Sequence, residues 1–166
     1  MKQEKMKTSK IITKAMVSGG GVQDTRTPLK VFKELNKEFD FELDPCTSSE
    51  KENNLGTPFY FTKKQDGLNQ DWSKFKSIFI NPPWAKLLNL KWINKAFSEL
   101  EKSDDMTIVF LVPSKTETRW YQTLYKSKFL KELRFHKGRI KFEGHKGGFI
   151  FGISYFILKS EAQIKS

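Results

Sequence analysis

The alternation of short apolar runs with amphipathic stretches constrains this chain more than any other feature. Ile78-Phe79-Ile80 has the pattern of a buried strand, and Leu90, Ile93, Ala96, Phe97 and Leu100 then fall on one face of a helix. Thr107-Ile108-Val109-Phe110-Leu111-Val112 is the strongest strand signal in the chain and is stopped by Pro113. A strand, a helix and a second strand in that order make a crossover unit, whose parallel strands need covering on both faces. Upstream, Thr27-Pro28 precedes Leu29, Phe32 and Leu35 at helical spacing, with Thr27 placed to cap and Pro28 suited to the first helical position. Phe39-Asp40-Phe41-Glu42-Leu43 alternates as a strand does and runs into a loop at Asp44-Pro45-Cys46. Phe59-Tyr60-Phe61-Thr62 follows as a short aromatic strand, then a turn at Asp66-Gly67-Leu68 leading to Trp72. Downstream, Trp120 and Leu124 read as a helix, Leu133 to Phe135 as a short strand and Phe149 to Leu158 as a long apolar one. The expected fold is α/β, a parallel-rich sheet with helices on both faces, with a ligand site at the carboxyl ends of its strands. Asp44, Asp66, Asn81 and Pro113 all fall at such ends.

A length of 166 residues suits a single domain with its own core. Residues 1–21 mix lysines with small residues and finish on Gly19-Gly20-Gly21, which predicts a flexible basic arm; residues 22–160 form the domain and 161–166 a tail. No apolar run reaches the ~20 residues of a membrane span and no signal-peptide pattern opens the chain, so a cytoplasmic protein is expected; the oligomeric state is left open, with a monomer favoured. With one Cys and two His, no internal disulfide and no zinc-type cluster is expected, and metal chemistry is set aside.

The net charge is +11, and its placement matters more than its size. Five Lys face one Glu in residues 1–20, and eight Lys/Arg face two Glu in residues 125–146, leaving the rest of the chain nearly neutral. Clustered cations gain by displacing counterions from phosphates, so the pattern points to a nucleic acid. The plain alternative is a solubilising surface with a floppy tail.

Asn81-Pro82-Pro83-Trp84, directly after a strand, carries the chemistry. Two prolines fix the backbone and leave carbonyls with no amide hydrogens beside them. The Asn81 side-chain oxygen and the Pro82 carbonyl together can hold both hydrogens of a planar amino group such as the exocyclic amine of adenine. That amine is a poor nucleophile, its lone pair being delocalised into the ring. Two aimed acceptors pull the nitrogen toward tetrahedral geometry and stabilise the positive charge that grows on it during alkylation. Trp84 would offer a stacking platform to a base swung out of the duplex. Otherwise Pro-Pro is a stiff turn and Trp84 a core residue.

With these residues in view, the chain resembles the phage-type DNA N6-adenine methyltransferase (Dam-like) family, from about Asp24 to Leu158. The resemblance rests on Thr27-Pro28, Leu43-Asp44-Pro45-Cys46, Asp66-Gly67-Leu68 with Asp71-Trp72, Asn81-Pro82-Pro83-Trp84, Leu111-Val112-Pro113 and Gly138-Arg139-Ile140-Lys141-Phe142. It implies a reduced Rossmann-like class I methyltransferase fold that uses S-adenosylmethionine, yields S-adenosylhomocysteine and acts on double-stranded DNA. By that resemblance Thr27 and Pro28 meet the methionine end of the cofactor, Asp44, Pro45 and Cys46 form its cradle, Asp66 contacts its adenine, and Asn81, Pro82, Pro83 and Trp84 are catalytic. The loop after Asp44 carries Ser48 and Ser49 where the broader methyltransferase pattern has glycines.

Gly138 to Phe142 lies in the basic stretch, which makes Arg139, Lys141 and Lys137 candidate DNA contacts, with Arg139 preferred. Lys115, just past Pro113, joins them, with Thr116 and Thr118 as further phosphate contacts and Thr116 alternatively the cap of the following helix. Pro45-Cys46 also looks like the nucleophile motif of cytosine-5 methyltransferases, but no Glu-Asn-Val follows in this chain, and Cys46 reads as a small buried residue. His136 and His145 are read as surface or phosphate-contacting residues. Three alternatives stand beside the DNA-adenine reading: an RNA amino-methyltransferase, a protein-glutamine amino-methyltransferase, and a DNA-binding relative without catalysis.

Overall fold

The computed structural model describes residues 26–47, 55–84, 90–142 and 149–165. The basic arm of residues 1–21, the Ser48-Ser49 loop and His145 lie outside the described residues. The order of elements is α1 (Leu29–Phe39), β1 (Leu43–Thr47), β2 (Phe59–Thr62), a 3-10 turn (Gly67–Asn69), β3 (Ser77–Ile80), α2 (Lys91–Lys102), β4 (Thr107–Pro113), α3 (Arg119–Tyr125), β5 (Leu130–Phe135), β6 (Ile153–Lys159) and α4 (Glu161–Lys165).

The strands form one six-stranded sheet in the order β2-β1-β3-β4-β6-β5. β1 pairs in parallel with β2 and with β3, and β3 in parallel with β4, while β6 runs antiparallel to both β4 and β5. β5 therefore points the same way as the parallel strands, and the sheet has one carboxyl edge shared by β1 to β5. Register places Phe79 beside Val109 and Val109 beside Ile157, whereas Ile80, Phe110 and Phe156 line the opposite face. α1 packs Phe32 on Phe79 at 5.2 Å between ring centroids, and α3 packs Tyr121 on Phe156 at 4.8 Å, so helices cover both faces as the alternation predicted. β3 and β4 are buried on both faces, which is why they read as uninterrupted apolar runs.

Local boundaries differ from the sequence reading in five places, one being β5, which begins at Leu130 and not at Leu133. The Phe39 to Leu43 stretch is not a strand. Phe39 ends α1, Asp40 takes a left-handed cap (φ 46°) with its N–H on the Asn36 carbonyl, and β1 begins only at Leu43, so Asp44, Pro45 and Cys46 lie within a strand. Thr27 does not cap α1: Pro28 occupies the N-cap position with no side-chain bond. β6 begins at Ile153, leaving Phe149 to Gly152 irregular. The expected tail forms the short helix α4, held to the body by Gln163 Nε2 donating to Asp105 Oδ1 at 2.7 Å.

Candidate active site

From β1 the chain moves outward to β2 at the sheet edge and returns to β3 on the other side of β1. The order of strands reverses there, and in open α/β sheets the crevice outside the carboxyl ends at such a switch point is where ligands bind. Its two walls carry the two motifs singled out in the sequence: Asp44-Pro45-Cys46 on β1 and Asn81-Pro82-Pro83-Trp84 at the end of β3.

On the β1 side Asp44 is buried. Its Oδ1 accepts the Cys46 N–H at 2.9 Å and its Oδ2 accepts the Thr47 hydroxyl at 3.0 Å. Burial outweighs these two bonds and raises its pKa from 3.8 to about 6. Burial, together with the Asp44 carboxylate, pushes the neighbouring Cys46 thiol well above its usual range. A thiol so placed is not a thiolate near neutrality, which agrees with reading Cys46 as a packing residue. The Asp66-Gly67-Leu68 turn backs onto this strand. A Cβ on Gly67 would lie 2.2 Å from the Pro45 carbonyl oxygen, so only glycine allows the approach. The Gly67 carbonyl accepts the indole N–H of the fully buried Trp72 at 2.9 Å, which locks the turn from behind. Asp66 itself is exposed, in a left-handed conformation (φ 52°), and its oxygens accept from the Leu68 N–H and the Asn69 side chain.

On the β3 side Asn81 and Pro83 are half-buried, and Pro82 and Trp84 are buried. Asn81 Nδ2 donates to Thr27 Oγ1 at 3.0 Å, and the Trp84 indole N–H donates to Asn81 Oδ1 at 3.1 Å. Thr27 is thus buried at the site instead of capping α1, and Pro28 stands beside it. The Trp84 ring meets Phe149 at 4.8 Å and Phe142 at 5.3 Å and keeps 9% of its surface exposed.

The candidate DNA contacts gather at the same edge. His136 continues the β5 to β6 ladder, its N–H donating to the Ile153 carbonyl at 2.9 Å, and the chain then passes through Lys137, Arg139 and Lys141 to Phe142 under Trp84. In this segment Ile140 and Phe142 are buried while Lys137, Arg139 and Lys141 are exposed, and the Phe149 N–H pins it by donating to the Ile140 carbonyl at 2.8 Å. Arg139 donates to the Ile150 carbonyl, and the Lys115 ammonium lies 4.6 Å from the Phe151 ring centre. No acidic partner holds any of these four cations among the described residues. Arg134 and Lys128, from the same basic stretch, are different: Arg134 pairs with Glu38 and Glu132, and Lys128 with Glu101 and Glu161. Thr118, and not Thr116, is the cap of α3, accepting the Tyr121 N–H at 3.4 Å and donating to the Lys115 carbonyl at 2.8 Å.

Two supports were not singled out in the sequence. Glu99 is buried on α2 and accepts from Lys95 at 2.6 Å, Lys102 at 3.3 Å and the Trp72 backbone N–H at 3.3 Å, tying α2 to the residue that locks the Gly67 turn. The i,i+4 spacing of Lys95 and Glu99 was the available signal. Ser154 joins Ser114 (2.7 Å) and Tyr121 (2.8 Å) through hydroxyls where β4 ends, a contact across strands that has no local signature.

A mostly parallel sheet of this order, with an acceptor-rich tetrapeptide and a buried carboxylate flanking its switch point, defines a Rossmann-like methyltransferase fold. The pattern of the DNA N-6-adenine-methyltransferase (Dam) family matches residues 21–154, and the chain belongs to that family. It is therefore a methyltransferase, and the family implies S-adenosylmethionine as the methyl donor. Among solved structures, a SAM-dependent O-methyltransferase from Thermotoga maritima aligns over 90% of this chain and 71% of that one, at 12% sequence identity and a TM-score of 0.47. No curated protein matches the chain. Among the described residues no helix is long and apolar enough to cross a membrane, and no cluster of His, Cys, Asp and Glu is placed to hold a metal.

Proposed function

We propose that this chain transfers a methyl group from S-adenosylmethionine to the exocyclic N6 of adenine in duplex DNA. The observation that carries the reading is the meeting of β1 and the end of β3 at the switch point, with Thr27 bonded directly to Asn81.

The residues there suit the cofactor. Its amino and hydroxyl groups are donors, and Asp44, Asp66 and the Thr27 hydroxyl supply acceptors; Pro28, Pro45 and Cys46 complete the cradle. When bound, S-adenosylmethionine supplies an electrophilic methyl group on a sulfonium centre. Asn81 Oδ1 and the Pro82 carbonyl accept the two hydrogens of the adenine amine, localise its lone pair and stabilise the charge developing on nitrogen. Pro82 and Pro83 hold these acceptors rigid, so little reorganisation is needed as the charge appears. Transfer is direct, with no covalent enzyme intermediate, and the raised thiol of Cys46 supports this. Lys137, Arg139, Lys141 and Lys115 bind phosphates beside the base, which leaves the duplex to reach the site. These cations, with no acidic partner among the described residues, favour a nucleic acid over a glutamine side chain, although both present a planar NH2.

Incubating the protein and labelled donor with duplex DNA, RNA and protein in parallel tests the reading. Label appearing in N6-methyladenine from DNA is the expected result. Label confined to RNA or to glutamine refutes it.

A further inference from the structure

We propose that the His136 imidazole, oriented by Tyr155, donates a neutral N–H to a backbone phosphate of the bound duplex; the proposal rests on the DNA reading above. The His136 backbone N–H is bonded to the Ile153 carbonyl at 2.9 Å, and its Nδ1 meets the Tyr155 hydroxyl at 2.7 Å, with the two rings edge-on at 80°. Tyr155 is buried, and burial, with the Glu34 carboxylate acting in the same sense, holds its phenol well above the usual range. The phenol therefore keeps its proton, and Nδ1 is the one partner its hydroxyl has among the described residues. A hydroxyl hydrogen directed at Nδ1 makes that nitrogen the acceptor and leaves the proton of a neutral imidazole on Nε2. The opposite tautomer would donate from Nδ1 and strand the Tyr155 hydrogen without an acceptor.

Nε2 faces outward. The two nitrogens point away from each other across the ring, so an imidazole anchored inward by Nδ1 turns Nε2 out. Among the described residues only Thr57 and Trp92 hold a buried side-chain polar atom without a partner, so the unpartnered Nε2 of half-buried His136 opens to solvent. His136 directly precedes Lys137, and the segment continues through Arg139 and Lys141 to Phe142 beneath Trp84. A phosphate drawn to those cations meets the Nε2–H as well. Phosphate oxygens accept, so the tautomer that Tyr155 selects is the one that binds; the other would turn a lone pair on the anion.

At about pH 8, His136→Ala is expected to weaken duplex DNA binding about tenfold, the size of one hydrogen bond to a charged group, and equally on two unrelated sequences. No cation is removed, so the slope of log affinity against log salt keeps its wild-type value. Tyr155→Phe retains the ring and loses the hydroxyl; the imidazole regains its flipped and tautomeric states, and affinity falls about threefold. In a His136→Ala background the same change has no measurable effect. Nitrogen NMR of the ring reads the arrangement directly: the proton sits on Nε2 in the wild type, and in Tyr155→Phe the Nδ1 signal moves to that of an unbonded ring nitrogen. Wild-type affinity in His136→Ala, a loss on one sequence only, a slope reduced by about 1, or a proton on Nδ1 overturns the proposal. If a variant does not fold, the wild type with and without duplex decides: the Nε2 proton shifts on binding, and an unchanged Nε2 proton overturns the proposal. DNA binding without methyl transfer to adenine sinks the functional reading and leaves this contact standing.

Discussion

Replacing Asp44 by asparagine removes a charge and keeps the shape of the side chain, and its consequences follow from where the carboxyl sits. Burial raises its pKa from 3.8 in the unfolded chain to about 6 in the fold. The folded state therefore holds this proton more tightly than the unfolded state. Stability from this group is fully present below pH 3.8 and is lost as pH rises through about 6. At ~1.36 kcal/mol per pKa unit the loss is on the order of 3 kcal/mol, or roughly 6–12 °C in melting temperature for a domain of this size. The amide introduced by Asp44→Asn has no proton to lose. Denaturant unfolding of the ligand-free protein between pH 4 and 8 should show the wild type weakening relative to Asp44→Asn across that window. Cofactor binding should respond in the opposite sense: in the proposed cradle Asp44 accepts from the cofactor's ammonium, a cation that favours the ionised carboxylate, so affinity is expected to rise with pH through about 6 in the wild type and to stay flat in the variant. Parallel stability profiles for the two proteins, or identical pH dependence of cofactor affinity, would refute the reasoning.

Gly67→Ala puts a Cβ 2.2 Å from a backbone oxygen on β1, so it should destabilise the fold by about 1–3 kcal/mol and weaken cofactor binding, as melting and calorimetry would show. Arg139→Ala and Lys141→Ala should each reduce the slope of log affinity for duplex DNA against log salt by about 1, uniformly across sequences. Arg134→Ala, drawn from the same basic stretch but already paired with Glu38 and Glu132, should leave that slope unchanged in the same titration.

The legible parts of the fold were those whose signal is local and long. β4 and α2 carry their period over many residues, and β3 announces itself by running into a Pro-Pro that cannot continue a sheet. The alternation of Phe39 and Phe41 misled because both rings turn inward on either side of the α1 cap, 5.6 Å apart, and so imitate a strand face without a ladder. Phe149 and Phe151 looked like the start of β6, yet they stay outside the sheet, Phe149 against Trp84 and Phe151 beneath Lys115. At the site, the tetrapeptide and the Asp44 strand were readable as motifs. Their connections were not: Thr27 and Asn81 are 54 residues apart, and Arg134 reaches Glu38 across 96. Contacts at such separations leave no trace in spacing. Charge counting alone therefore assigned Arg134 and Lys128 to the polyanion surface together with Arg139 and Lys141.

Single-turnover methylation of duplex DNA by the wild type and by Asn81→Ala, with donor affinity measured alongside, bears most directly on the claim that the end of β3 grips an adenine amine at the switch point. The account predicts unchanged donor binding and a rate lower by on the order of 100-fold, the loss expected for an acceptor that matters most as charge develops. Equal rates in the two proteins would contradict it.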